Sequence, residues 1–164
     1  MRENVSKALD NIDMTYDEFI EVANDICSEV AGDLDQMINS AYNSIENLTN
    51  ESIRSLLLRL SLRSYSFSEI KDKSLFEATL GETLRKEAYA KSFNSSEGTV
   101  AVRENLSIIN TSAEIVAEEL YALIASIFKT KVDEVHRVVD TLKSVLMSRM
   151  QEAKMANVDG FVGE

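Results

Sequence analysis

Proline is absent from this chain of 164 residues, although ordinary usage of about 5% would supply roughly eight. Glycine is also scarce, with only five residues. Proline interrupts helices most strongly, because its ring fixes φ and removes a backbone donor. The sequence therefore predicts long helices. Since isolated helices are marginal in water, these helices need other surfaces to pack against.

The composition predicts a single all-α domain. Hydrophobic residues make up 45% of the chain, which is enough for a packed core. Alternating strand patterns are missing. Cys27 is the only cysteine, which excludes an intrachain disulfide and a zinc finger. We expect long antiparallel helices in a hairpin or bundle. Their apolar positions exceed what one thin hairpin can bury, so we expect oligomerisation to complete the core.

Polar clusters predict where the first helices begin and end. Thr15 and Glu18 form a capping box, so a helix should begin there and run over about 16–47, with a bend at Gly32. Its apolar residues follow two heptad tracks, which places Cys27 in the core as a small hydrophobe. Polar residues 48–52 cap a second helix. Ser66 and Glu69 have capping-box spacing, which predicts an interruption at 64–68.

The second half of the chain contains the strongest loop signal. A third helix is predicted over about 69–93, and the turn-forming residues 94–99 predict a hairpin tip at Gly98. After a helical stretch at 100–109, a capping box at Thr111 and Glu114 predicts the longest helix, which ends near 156. The predicted organisation is an acidic helical segment 1–48, a hairpin core 49–156 and a flexible tail 157–164.

Charge is distributed unevenly along the chain. The net charge is −11, and residues 1–50 hold two basic against eleven acidic side chains. Residues 51–103 hold nine basic and seven acidic residues, and are the only segment that suits a polyanion. The N-terminus has no apolar signal-peptide core, and no apolar run is long enough for a membrane span. These features predict a cytoplasmic protein that does not contact membranes.

The basic middle segment predicts a nucleic-acid contact. Basic side chains bind phosphates, and aromatic side chains stack on bases without reading sequence. Four aromatic residues, Tyr65, Phe67, Tyr89 and Phe93, alternate with these basic residues. The candidate nucleic-acid-binding residues are Arg54, Arg59, Arg63, Arg85, Lys86, Lys91 and Arg103. Helix packing explains the aromatic residues equally well.

The sequence predicts no catalytic residues, no metal ligands and no cofactor. Asp133 and His136 lie on one helical face and are the closest approach to a metal site, but bundle di-metal sites need a second such pair and further glutamates. Phosphate-binding and hydrolase motifs are missing. We therefore expect a protein that is not an enzyme. The acidic helix 10–46 is a solvated face, a surface for a basic partner or a mimic of nucleic acid.

Residues 85–91 and 96–104 carry a resemblance to small all-helical phage proteins. In those proteins a basic helix ends in a glycine turn, and a Gly-Thr-Val-Ala-x-Arg-Glu stretch, here Gly98 to Glu104, leads to a long C-terminal helix. The same order is distantly similar to the recombination mediator family of T-even phages. That family forms ring-shaped oligomers and helps to load a recombinase onto single-stranded DNA. The resemblance implies four DNA-facing residues, Arg85, Lys86, Lys91 and Arg103.

Two functions follow as expectations. The first is a phage-type helical accessory protein in the host cytoplasm, which self-associates and assists DNA replication or recombination through single-stranded DNA or a recombinase. The alternative is a protein-binding module, such as an inhibitor of a host or defence factor, that binds its partner through the acidic N-terminal helix. Both expectations describe binding rather than catalysis.

Overall fold

The computed structural model describes residues 16–32 and 34–159, and in these residues it contains five helices and no strand. The prediction of an all-α fold is confirmed. Thr15, Asp33 and residues 160–164 lie outside the described residues, so the capping role of Thr15 stays a prediction. The helices are α1 (Tyr16–Ala31), α2 (Leu34–Ser44), α3 (Asn50–Ser95), α4 (Val100–Asn110) and α5 (Ser112–Asp159).

Gly32 ends α1. Its φ is +56°, in the left-handed region that favours glycine, and α2 begins only at Leu34. The prediction of one bent helix over 16–47 is therefore wrong, because a left-handed residue stops the helix instead of bending it. The heptad tracks are nevertheless buried on both sides of the break, at Ala23 and Cys27 in α1 and at Met37 in α2.

The chain divides into two compact units. The first unit contains the described residues 16–30 and 68–129, and the second contains residues 31–67 and 130–159 apart from Asp33. Both units draw on α3 and α5, because these two helices are 46 and 48 residues long. The division at 1–48, 49–156 and 157–164 stays a prediction. α5 extends through Asp159.

α3 continues without interruption through the serine-rich residues 64–68. The Ser66 hydroxyl donates to the Leu62 carbonyl, 3.3 Å away, as in a helix interior. Leu60, Ser64 and Phe67 follow at i, i+4 and i+7, and all three are buried. The predicted interruption is wrong because tertiary packing of this face outweighs a capping preference of about 1 kcal/mol.

Replacing Ser66 by alanine tests this correction. In a helix interior alanine is favoured over serine, so we expect Ser66→Ala to leave the free energy of unfolding unchanged or to raise it by about 0.5 kcal/mol. A capping serine would instead lose about 1 kcal/mol on the same substitution. Urea unfolding followed by circular dichroism distinguishes the two, and a loss of that size would restore the capping assignment.

α3 and α5 pack against each other in both units. In the first unit Arg85 pairs with Glu118, and a Cβ on Gly81 would lie 3.5 Å from the Glu118 backbone. In the second unit Ser64 hydrogen-bonds to His136. In the same unit Arg149 Nη1 lies 3.5 Å from Asn50 Oδ1, so residue numbers that rise along α3 meet numbers that fall along α5. This pairing confirms the expected antiparallel hairpin of long helices.

Apolar side chains fill the interior of each unit. The first unit buries Ala23, Ile26, Cys27, Ala78, Leu120, Ile124, Ala125 and Phe128. The second unit buries Leu34, Met37, Ile38, Ala41, Ile53, Leu60, Phe67, Val132, Val135, Val138, Val139 and Leu142. The core role predicted for Cys27 is confirmed, since this residue is 4% exposed.

The connections before and after α4 differ in chemistry. Gly98 has a φ of +115°, and a Cβ at this position would lie 3.3 Å from a Val102 methyl, so the turn at 96–99 requires glycine. The capping role predicted for the Thr111 hydroxyl is wrong. This hydroxyl does not cap α5 but donates to the Ser107 carbonyl at 2.8 Å. At the start of α3, by contrast, the Thr49 hydroxyl accepts from the Ser52 backbone at 3.1 Å, so the predicted cap is confirmed.

A helix that crosses a bilayer needs about 20 consecutive and predominantly apolar residues. None of the described helices has an apolar segment of sufficient length.

Candidate interaction surfaces

The inward side of α4 and its C-cap residue Thr111 are polar. Arg103, Ser107 and Thr111 follow at i, i+4 and i+8 and form its buried or half-buried side. The Ser107 hydroxyl donates to the Arg103 carbonyl at 2.7 Å, and Asn110 donates to the Ser92 hydroxyl at 2.9 Å. Every one of these polar groups has a partner, so their burial costs little.

The opposite side of α4 is apolar and exposed. Val102, Leu106 and Ile109 follow at i, i+4 and i+7, and they are 47%, 40% and 66% exposed. Val100 and Ile108 are also exposed, at 60% and 53%, but they lie on other sides of the helix. We call Val102, Leu106 and Ile109 the α4 apolar face. A helix at the surface of a monomer has the reverse polarity, so this face is typical of a contact surface.

α3 carries a second exposed apolar surface in the first unit. Phe76, Leu80 and Leu84 follow at i, i+4 and i+8, and they range from 40% to 65% exposed. We call these three residues the α3 apolar stripe. The first unit therefore leaves two separate sets of large apolar side chains in contact with water. Monomeric proteins rarely expose contiguous apolar patches of more than a few hundred Å².

Two of the four basic candidates in the first unit make structural contacts. Arg85 donates through Nε to Glu118 Oε2 at 2.7 Å, and this hydrogen bond raises the pKa of Arg85. Arg103 donates through Nε to the Phe93 carbonyl at 2.9 Å, and its guanidinium lies 4.1 Å from the centroid of the Phe93 ring. Both guanidinium groups thus hold α3 to neighbouring helices.

The other two basic candidates of the first unit are lysines at the surface. Lys86 donates to Glu82 Oε1 at 2.5 Å, one turn earlier on the same helix, and this hydrogen bond lowers the pKa of Glu82. Both groups are exposed, so the pair adds little stability. Lys91 is exposed and has no ion pair within the described part of the chain. Five residues, or about 140° around the helix, separate the two lysines.

The three basic candidates of the second unit lie on different sides of α3. Arg59 and Arg63 are one turn apart on one face, whereas Arg54 is about 140° from Arg59 around the helix. All three residues are exposed. The structure therefore brings two of the three together and leaves Arg54 apart.

A groove lined by α2 and α3 contains Arg59 and Arg63. It consists of a cavity of about 520 Å³ and a second one of about 230 Å³, and Arg59 lines both. Arg59 Nη2 lies 3.6 Å from Met37 Sδ, which is a weak hydrogen-bond acceptor. Arg59 also makes other contacts. We call this feature the α2–α3 groove. Its polar lining consists of Ser40, Ser44, Thr49, Glu51, Ser52, Ser55, Arg59, Arg63 and Ser66.

The four aromatic residues divide between core and surface. Phe67 is 1% exposed and belongs to the core, whereas Tyr65 is 76% exposed. Tyr89 and Phe93 are half-buried and stacked, with ring centroids 6.3 Å apart. Of these aromatic residues, only Tyr65 offers a fully accessible ring for stacking on a base.

Ser64 and His136 are the pair that comes closest to a catalytic arrangement. The Ser64 hydroxyl lies 3.0 Å from His136 Nε2. Ser64 is buried in the second unit, however, so its oxygen cannot meet a substrate. Asp133, which the sequence placed beside His136, makes no hydrogen bond to it. Within residues 16–32 and 34–159, no three His, Cys, Asp or Glu side chains are grouped as metal ligands.

The described acidic residues of α1 face solvent. Glu21, Asp25 and Glu29 follow at i, i+4 and i+8, and all are exposed, as are Asp17 and Glu18. Their arrangement agrees with the solvated acidic face that the sequence suggests. The part of the acidic segment before Tyr16 lies outside the described residues.

Sequence reasoning missed two features of these surfaces. The serines of the α2–α3 groove had no signal, because their grouping depends on how α2 packs against α3. The α4 apolar face did have a signal, since Val102, Leu106 and Ile109 repeat at helical spacing, but the pattern alone places them in a core.

Comparisons with protein-family models, with curated proteins and with solved structures found nothing that matches this chain.

Proposed function

We propose that this chain is a non-enzymatic helical accessory protein that works by binding, and that it associates with a second copy through the first unit. The observation that carries the proposal is the reversed polarity of α4, with Ser107 and Thr111 inside and Ile109 outside. A second copy is the favoured occupant because one unit carries two apolar surfaces. In a two-fold dimer, each α4 apolar face packs on the partner's α3 apolar stripe, which closes the assembly.

The size of the two surfaces sets the expected affinity. Covering a half-exposed aliphatic or aromatic side chain gives about 1 kcal/mol, so the six residues of the two surfaces in each copy, twelve in the dimer, give about 12 kcal/mol in all. Loss of translational and rotational freedom opposes association by an estimated 4 kcal/mol or more. The balance is a weak dimer that forms in the micromolar range or above.

Lysine substitutions in α4 test the self-association. Wild-type mass from sedimentation equilibrium is expected to rise with concentration from 18.3 kDa toward twice that value. Leu106→Lys with Ile109→Lys should keep the protein monomeric, because a charge in an apolar contact is costly. Glu104→Lys lies on another side of the same helix and is the matched control. A wild type that stays monomeric through hundreds of micromolar overturns the proposal.

The wider role follows from the resemblance to phage proteins. We propose that the dimer assists DNA replication or recombination through contacts with single-stranded DNA or a recombinase. The placement of Arg59 and Arg63 in one groove supports a DNA contact better than the placement of Arg85 and Arg103, which hold helices together. Fluorescence anisotropy with a labelled oligonucleotide should show binding that weakens with salt. Lack of binding at low salt counts against the DNA contact.

The second candidate function is a protein-binding module that uses the acidic α1. The exposed ladder of Glu21, Asp25 and Glu29 supports it, because carboxylates one turn apart suit a basic partner helix. Replacing Glu21 and Asp25 by glutamine should abolish capture of such a partner while the helical content stays unchanged. Retained capture argues against this function.

A further inference from the structure

The α2–α3 groove has the size of a small-molecule site. Pockets that hold ligands usually enclose about 300 to 1,000 Å³. The larger cavity of the groove, about 520 Å³, falls in that range. Both cavities belong entirely to the second unit, on residues of α2, α3 and the connection between them. The groove is therefore separate from the apolar surfaces of the first unit.

The lining of the larger cavity is rich in hydroxyl groups. Ser40, Ser44 and Ser55 line it, and their hydroxyls form no hydrogen bond within the described part of the chain. Thr49 and Ser52 also line it but bond to each other at 2.8 Å. Three hydroxyls that point to no other residue suit a ligand with many acceptor oxygens, and they do not suit an apolar one.

The charge of the groove selects an anion. Arg59 lines both cavities and Arg63 lines the smaller one, so two guanidinium groups border the same space. Both residues also make other contacts, and each guanidinium has five N–H donors to share between these contacts and a ligand. A guanidinium binds phosphoryl oxygens in a two-pronged geometry, and a phosphoryl group has more acceptor oxygens than a carboxylate. Glu51 lines the larger cavity and opposes an anion there. The anionic end of a ligand therefore belongs near Arg59 and Arg63, away from Glu51.

We propose that the α2–α3 groove binds a phosphorylated small molecule of the size of a sugar phosphate or a mononucleotide. Its phosphoryl group accepts hydrogen bonds from Arg59 and Arg63. Its hydroxyl-bearing part lies in the larger cavity and bonds to Ser40, Ser44 and Ser55. Leu48 and Leu56 supply the apolar part of the wall.

Calorimetric titration of the full chain tests the site. Ribose 5-phosphate and AMP are the probes, and ribose and inorganic phosphate are the controls for the two halves of the ligand. At least one probe should bind at submillimolar concentration, ribose should not bind, and inorganic phosphate should bind at least about tenfold more weakly than that probe. The proposal is overturned if neither probe binds at 10 mM. It is also overturned if ribose or inorganic phosphate binds as tightly as the better probe.

Two arginine variants on the same helix make the test specific. Arg59→Met should weaken probe binding about tenfold or more, because charge-assisted hydrogen bonds are lost. Arg54→Met removes the same charge from another side of α3 and should change binding less than about twofold. Glu51→Gln should strengthen binding, because it removes the opposing charge. Equal losses in the two arginine variants would show a general effect of charge and would reject the site.

The variants also separate this proposal from the proposed dimer. Circular dichroism checks that Arg59→Met keeps its helical content, and the serine variant Ser55→Ala provides a second test that leaves every charge in place. The double lysine variant of α4 should bind the probe as wild type does, because the groove lies in the other unit. A wild-type protein that stays monomeric but binds a probe contradicts the dimer alone, and a wild-type protein that dimerises but binds neither probe contradicts the groove site alone.

Discussion

Phe67→Ala is expected to lower the free energy of unfolding by about 3 to 5 kcal/mol. Phe67 is one of the largest fully buried side chains and is 1% exposed, in the middle of α3. Removal of its ring deletes apolar contacts and leaves a cavity that the surrounding structure fills only in part. Urea denaturation followed by circular dichroism measures the loss.

Tyr65→Ala is the matched control for this substitution. The two aromatic residues are two positions apart on α3, but Tyr65 is 76% exposed. Its replacement should change the free energy of unfolding by less than about 0.5 kcal/mol. Similar effects for both substitutions would mean that α3 does not bury the face that includes Phe67.

Arg149→Met is expected to lower the free energy of unfolding by about 2 to 3 kcal/mol. The guanidinium of Arg149, on α5, donates to the backbone carbonyls of Ile45 at 3.2 Å and Glu46 at 2.9 Å, and also to that of Leu48. These carbonyls follow the end of α2, where helices leave acceptors without intrahelical partners. The methionine keeps the apolar stem but leaves the acceptors to water.

Arg137→Met provides the comparison for Arg149. Arg137 is exposed on the same helix, and its side chain makes no hydrogen bond or ion pair within the described part of the chain. The substitution should change the free energy of unfolding by less than about 0.5 kcal/mol. The loss in the free energy of unfolding for Arg149→Lys should fall between the losses for Arg149→Met and Arg137→Met. An ammonium cannot reach three carbonyls as a planar guanidinium does. A loss below about 0.5 kcal/mol for Arg149→Met contradicts the assigned role.

Sequence patterns predicted the helices and turns where the signal is local. The cap at Thr49 and the turn at Gly98 depend only on neighbouring residues, and the structure has both. The absence of proline predicted long helices, and α3 and α5 are 46 and 48 residues long. Ser66 and Thr111 looked like caps, but each donates its hydroxyl back into the preceding turn. A serine or threonine can do either, and the choice depends on what the helix packs against.

The site residues were harder to predict, because a charged side chain shows nothing of its partner. Arg85, Arg59 and Arg149 look alike in the sequence, yet one pairs with Glu118, one lines a groove and one binds carbonyls. The partners of Arg85 and Arg149 lie 33 and about 100 residues away along the chain. Only the packing of the helices decides these roles.

The reversed polarity of α4 has a consequence for local unfolding. Hydrogen bonds and the contact between Arg103 and Phe93 fix this helix, and it buries almost no apolar side chain of its own. Water can replace such hydrogen bonds at little cost, so α4 opens more readily than the apolar interior around Phe128. Its amides should exchange with solvent deuterium early in the free protein and become protected once its outer face is covered.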